Sequence, residues 1–282
     1  LSALRRHAPA LLLLAGIAAV AALFALGGDA YYRLREALGL KPYAPFLDLH
    51  AVMSAIECRH RGVDVYAANP CDAFGRVHIY GPLWLRLPLA FADPALLRPL
   101  GLALAAAFGA SLFLLPPAPP GRARWAVLLA TVSPVVAFAL ERANADLLIF
   151  LIVLAGARLL AGGQGARIAG HGLFVLGGLL KFYPLALLIL LLRERPGVMF
   201  ALVLVAAAIV RATVGAFGDE TQRAIANIPT QAVFWGSFAA HNLPLGLLQL
   251  TATPAAAAAA LAVGLAVSAT ALWRMLRAPA LA

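Results

Sequence analysis

The sequence predicts an all-α polytopic membrane protein of about eight transmembrane helices, with an amphipathic surface helix in its first outer loop. Three observations carry this reading. Of the 282 residues, 63% are hydrophobic and only 12% are charged, whereas soluble domains usually hold about 25% charged residues. Several apolar runs approach the roughly 20 residues that a helix needs to cross a bilayer. The basic residues gather in short Pro- and Gly-rich segments between those runs, the pattern that marks cytoplasmic loops. The net charge of +10 therefore orients the chain in a membrane and does not point to a nucleic-acid partner. Residues 1–282 read as a single transmembrane domain.

The first apolar run, 8–27, follows Arg5 and Arg6. A basic start also marks a signal peptide, but this run exceeds the about 7–15 apolar residues of a signal sequence, so a retained helix is expected. Further runs lie at 95–115, 125–140, 145–161, 198–214 and 254–273. The basic segments "PPAPPGRAR" (116–124), "GGQGAR" (162–167) and "RERPG" (193–197) belong in the cytoplasm with both ends of the chain. Six spans cannot satisfy that, because "GGQGAR" and "RERPG" must lie on the same side. The run between them must cross twice.

This run is read as a hairpin of short helices, 168–181 and 184–194, turning at "KFYP", where Pro184 disfavours helical geometry at Tyr183. Lys181 then lies at an outer tip. At the bilayer centre its bare ammonium would cost about 2.5–3.5 kcal/mol. The cytoplasmic segments now hold ten arginines (Arg5, Arg6, Arg122, Arg124, Arg158, Arg167, Arg193, Arg195, Arg274 and Arg277) against one acid, Glu194. The outer side receives the first loop (28–94), the link "ERANAD" (141–146), the hairpin tip and the last loop (215–253). Within the first loop, "GPLWLRLPLAF" (81–91) is too short to span. It reads as an interfacial helix with Trp84 at headgroup level, or else as a shallow re-entrant one.

The outer segments hold the residues able to do chemistry. Leu49, Val52, Met53 and Ile56 share one helical face, suited to lying on the membrane. Asp48 opens that helix, either as a carboxylate favoured by the helix dipole or as a general base at the membrane surface. Cys58 and Cys71 lie in a segment assigned to an oxidising compartment, where a disulfide would pin the loop to the helix. Arg76, His78 and Tyr80 could bind an anion or a sugar, or satisfy the loop's own carbonyls. In "ERANAD", Asp146 borders apolar residues and needs a partner, which Lys181 or Arg142 could supply. In the last loop Ser237, His241 and Asn242 precede a proline, and His241 is a candidate donor to substrate. Arg211 snorkels or pairs with Asp219 or Glu220. No familiar zinc spacing includes His60 or His78. No cofactor is expected, and a divalent ion bridging phosphate and Asp146 has no convincing ligand set.

In order along the chain, "FLDLHAV", "GVDVYAANPCDAFGRVHIYGPLWL", "ERANADLLIFLIVLAGARLL" and "GGLLKFYPLALLILLLRERP" resemble glycosyltransferase family 87. That family belongs to the polyprenyl-phosphate-sugar-dependent C superfamily of membrane glycosyltransferases (GT-C). The resemblance spans about residues 8–196. It implies a GT-C-like fold in a bacterial inner membrane, with cytoplasmic termini and a periplasmic site. Asp48 would deprotonate an acceptor hydroxyl, with inversion at the sugar. Lys181 and Arg142 would hold the donor phosphate, while Asp146, Asn144, His78, Tyr80, His241 and Asn242 would bind substrate. The partners implied are a polyprenyl-phosphate sugar, a lipid or glycan acceptor, and membrane lipids. The chain departs from the family in having "YGP" where a double proline is common, and in its two cysteines. A transporter or flippase of lipid-linked sugars is an alternative, as is a non-catalytic membrane subunit. A transporter would distribute polar groups through its helices, whereas here they cluster on one side.

Overall fold

The computed structural model describes residues 2–25, 28–37, 44–115, 122–228 and 253–277, and among these it is helical with no strand. The helices are α1 (Ser2–Ala25), α2 (Gly28–Ala37), α3 (Leu47–His60), α4 (Leu97–Ser111), α5 (Arg122–Thr131) and α6 (Pro134–Arg142). They continue with α7 (Ala145–Leu159), α8 (Gln164–Lys181), α9 (Pro196–Ala226) and α10 (Pro254–Arg277). Among the described residues, four stretches are long and apolar enough to cross a membrane: Pro94–Leu114, Trp125–Arg142, Pro196–Ala226 and Pro254–Arg274. His7–Leu23 and Tyr183–Arg193 are shorter apolar helices. The chain is a helical membrane protein.

The apolar run at 125–140 is divided. Ser133 caps α6 by accepting from the Val136 N–H, and Pro134 opens that helix, a pairing suited to a helix start. Leu13 of α1, Ala105 and Phe108 of α4, Leu140 of α6 and Leu147 of α7 form one buried cluster. At the crossing of α7 and α8 two glycines meet. A Cβ on Gly156 would lie 2.6 Å from the Phe174 ring, and one on Gly170 would lie 2.7 Å from the Gly156 carbonyl. Only bare backbone permits so close an approach.

The hairpin expected around Lys181 is present. Helix α8 ends at Lys181, Phe182 takes a positive φ of 57°, and Tyr183–Arg193 returns as a tight 3-10 helix along α8. At the other end of this hairpin Arg167 donates to Glu194 (2.7 and 3.0 Å), and the His171 ring approaches the same carboxylate at 3.0 Å.

Three expectations are corrected. Helix α3 is enclosed rather than lying on a surface. Its apolar stripe is buried, with Val52 and Ile56 against Tyr80 and Trp84, but Ala55 and Cys58 on another face pack against Val65 and Tyr66. Small residues there admit a second wall. The segment 81–91 forms two short 3-10 turns, Pro82–Arg86 and Leu89–Ala92, separated where Pro88 prevents a continuous helix. Helix α9 runs well past 214 and kinks at Phe217, so that its last turns reach the first loop. There Glu220 accepts from Arg59 (3.0 Å) and Arg86 (2.9 Å) rather than from Arg211, Arg223 pairs with Asp64, and the Asn227 amide donates to the Tyr66 carbonyl (2.8 Å).

Candidate functional site

Segments far apart in sequence converge at one end of the helices. Phe46 opens α3 with a positive φ of 64°, and its N–H donates to the Glu141 carbonyl at 2.7 Å. This contact sets the start of α3 beside the α6–α7 turn. That turn is itself tight, with Ala143 at φ 45°. Asn144 then caps α7, its side-chain oxygen accepting from the Asp146 N–H at 2.9 Å, as asparagine does at many helix starts.

The result is a cluster built on Asp48 and Asn144. Asp48 Oδ1 accepts from Arg142 Nε (2.9 Å) and from Arg76 Nη1 (3.3 Å), and Arg142 Nη2 lies 2.8 Å from it as an ion pair. Its Oδ2 accepts from the Asn144 amide at 2.7 Å. The other face of Asn144 meets the hairpin tip, where its oxygen accepts from Lys181 Nζ at 3.4 Å. Lys181 is paired with Asp146 at 2.6 Å, and the Tyr183 hydroxyl donates to that same carboxylate oxygen at 2.9 Å. Asp146 settles on Lys181, leaving Arg142 to Asp48.

The first loop is docked against the hairpin tip by backbone contact. The Gly81 N–H and the Trp84 indole both donate to the Leu180 carbonyl, at 2.9 and 3.2 Å. Trp84 is thus buried rather than exposed at a headgroup boundary. Tyr80 lies beneath Lys181, with the ammonium 5.2 Å from the ring centre, a cation–π distance. Burial, with the nearby Asp48 and Asp146 charges, pushes the Tyr80 hydroxyl far above its ordinary pKa.

Other expected site residues lie elsewhere. His78 is buried with its ring edge-on to Tyr66 and Tyr80, so it supports Tyr80 from behind instead of facing a ligand. Burial lowers its pKa to about 4, against a smaller opposing effect from its hydrogen bond with Gly81. Cys58 and Cys71 form the expected disulfide, which joins α3 to the turn that follows. Ser237, His241 and Asn242 lie outside the described residues. Among the described residues, no three His, Cys, Asp or Glu side chains gather as a metal-binding group. The two clefts beside Glu57, one reaching Cys71 and one Asp93, include none of the cluster residues.

Sequence reasoning overlooked Asp72. Its fully buried carboxylate accepts from Arg76 Nε (2.9 Å) and Nη2 (2.7 Å), from the N–H groups of Phe74 and Arg76, and faces the His50 ring at 3.2 Å. Burial by itself would raise its pKa, but the hydrogen bonds and charge of Arg76 prevail and lower it to about 2. The local signal was available: an Asp binding the N–H two residues on is an Asx turn, and "CDAFGR" has that form. Chemically, the cluster sets three cations (Arg76, Arg142 and Lys181) among three carboxylates (Asp48, Asp72 and Asp146) at the end of a helix bundle. Such donors can accept a phosphate as charge grows on it.

Fold and cluster together define a helical membrane protein with a polar site at one end of its helices. Compared with protein-family models, curated proteins and solved structures, the chain gives no match.

Proposed function

We propose that the chain is a membrane glycosyltransferase of GT-C-like architecture with about eight crossings, acting on the periplasmic face of a bacterial inner membrane. It moves a hexose or pentose from a polyprenyl phosphate to an acceptor hydroxyl. The observation that supports this reading is the convergence of Asp48, Arg142, Asn144, Asp146 and Lys181 into one connected cluster.

In the proposed reaction the acceptor hydroxyl attacks the anomeric carbon and gives its proton to Asp48. The carbon–oxygen bond to the donor phosphate breaks, and the polyprenyl phosphate leaves with the electron pair. The attack comes from the opposite face, so configuration inverts. Asp48 accepts hydrogen bonds from Arg142 and Arg76 on Oδ1 and from Asn144 on Oδ2. A carboxylate offers about four lone pairs, so an incoming hydroxyl can donate to the one left on Oδ2. Lys181 turns from Asp146 to the phosphate, with Arg142 as the second cation. The exchange is feasible because the Asp146 side chain is 48% exposed, so its released carboxylate is solvated by water instead of being left as a buried charge.

The test is a transfer assay with a panel of labelled polyprenyl-phosphate sugars. Wild-type protein should transfer at least one of them, and Asp48→Asn should abolish transfer while the protein stays folded. Unaltered turnover in Asp48→Asn removes Asp48 as the base. Donor binding without transfer by wild type would favour a carrier or a non-catalytic subunit.

A further inference from the structure

We propose that Asp72 is a positioning residue that holds Arg76 against Asp48, so that the disulfide-pinned turn of the first loop completes the site. Arg76 is gripped along one edge by a carboxylate with no exposed surface, and its Nη2 also donates to the Leu47 carbonyl at 2.7 Å. Only Nη1 is left to reach Asp48. An arginine side chain gives up rotamer entropy when it is fixed, and here that cost is met in the resting fold. The grip cannot slip without depriving a buried carboxylate of its guanidinium, leaving it the Phe74 and Arg76 N–H groups and the His50 ring, and losing the cation from such a buried pair is disfavoured. The turn is anchored one residue earlier, because Cys71 is bonded to Cys58 on α3. Helix α3 also carries Asp48. Turn and target thus share one rigid element, and the position of the Arg76 charge relative to Asp48 is set by Asp72.

The role in catalysis rests on the glycosyltransferase reading, but its test does not need activity. Both cysteines of the chain are joined to each other, so Asp48→Cys creates a lone thiol facing Arg76, Arg142 and Asn144. The pH midpoint of its alkylation by iodoacetamide reports the local charge. With two guanidiniums adjacent, the midpoint should lie below the about 8.5 of an ordinary cysteine.

Adding Asp72→Asn separates positioning from charge, since the two effects have opposite signs. If Asp72 holds Arg76 in place, its loss frees the guanidinium and raises the midpoint by about one unit, roughly tenfold in thiolate below the midpoint. If Asp72 contributes only its own negative charge, its removal lowers the midpoint. Arg76→Gln should raise it by a similar amount, and the two changes together should do no more than either alone. Should Asp72→Asn fail to fold, Asp72→Glu keeps the charge and displaces the guanidinium by one methylene. A raised midpoint then supports the proposal and an unchanged one overturns it. A fall with Asp72→Asn, or additive shifts, would also overturn it. A chain without transferase activity could still give the expected shifts, so failure of the functional reading and failure of this one are distinguishable.

Discussion

Gly81→Ala tests the docking of the first loop on the hairpin tip. Gly81 has φ −57° and ψ 149°, torsions that alanine adopts freely, so any penalty must be steric. A Cβ there would lie 1.9 Å from the Leu179 carbonyl oxygen and about 3 Å from two further backbone atoms of α8. Helix backbone cannot turn aside as a side chain would. Strain of this kind costs about 1–3 kcal/mol. Separating the two segments forfeits the bonds from Gly81 N–H and the Trp84 indole to Leu180, about 1 kcal/mol each. Strain and separation are alternatives, so the loss is about 2 kcal/mol, and alanine stiffens the unfolded chain by up to about 1 kcal/mol. The net destabilisation is about 1–2 kcal/mol, read as a lowered unfolding midpoint in mixed detergent micelles. Gly172→Ala on the same helix is the control, because its Cβ meets nothing within 4 Å and alanine favours helix by roughly 0.5–1 kcal/mol. If Gly81→Ala proves as stable as wild type, the loop does not dock on α8 and the cluster loses its frame.

Two further outcomes are expected. On the proposed topology, the thiol of Lys181→Cys should react with a membrane-impermeant reagent added outside intact cells; labelling only from the cytoplasmic side would reverse that topology. Protein stability should fall as pH drops from 6.5 to about 4, since His78 in the fold resists the proton that the unfolded chain takes up. The full effect is roughly 3 kcal/mol at about 1.4 kcal/mol per unit. It is present above the unfolded pKa and lost toward the folded one. His78→Phe should flatten that slope in equilibrium unfolding, and an unchanged slope would assign it to other groups.

Much of the frame was legible because membrane rules are strict. Counting basic loops called for the run around Lys181 to turn back on itself, as it does, and Pro184 located the turn. The same count grouped Asp48, Asp146 and Lys181, which the cluster brings together, and the pairing expected of Cys58 and Cys71 is formed. What was hidden depends on contacts between distant segments. Nothing in "CDAFGR" indicates that Asp72 would be buried, since that follows from the disulfide and the packing of the turn on α3. The apolar stripe of α3 was visible, but periodicity does not register small residues such as Ala55 and Cys58 as a second buried face. The kink at Phe217 lies in a run that continues as helix, so its polar end was read as loop. Glu220 and Arg223 are nevertheless what tie that end to Arg59, Arg86 and Asp64.

The central claim is that the cluster receives the phosphate of a lipid-borne donor. An experimental structure of the chain in lipid nanodiscs with bound polyprenyl phosphate tests it most directly. The expected result is phosphate density against Lys181 and Arg142, with Asp146 turned away into solvent. A phosphate bound elsewhere, with Lys181 still on Asp146, would contradict the account.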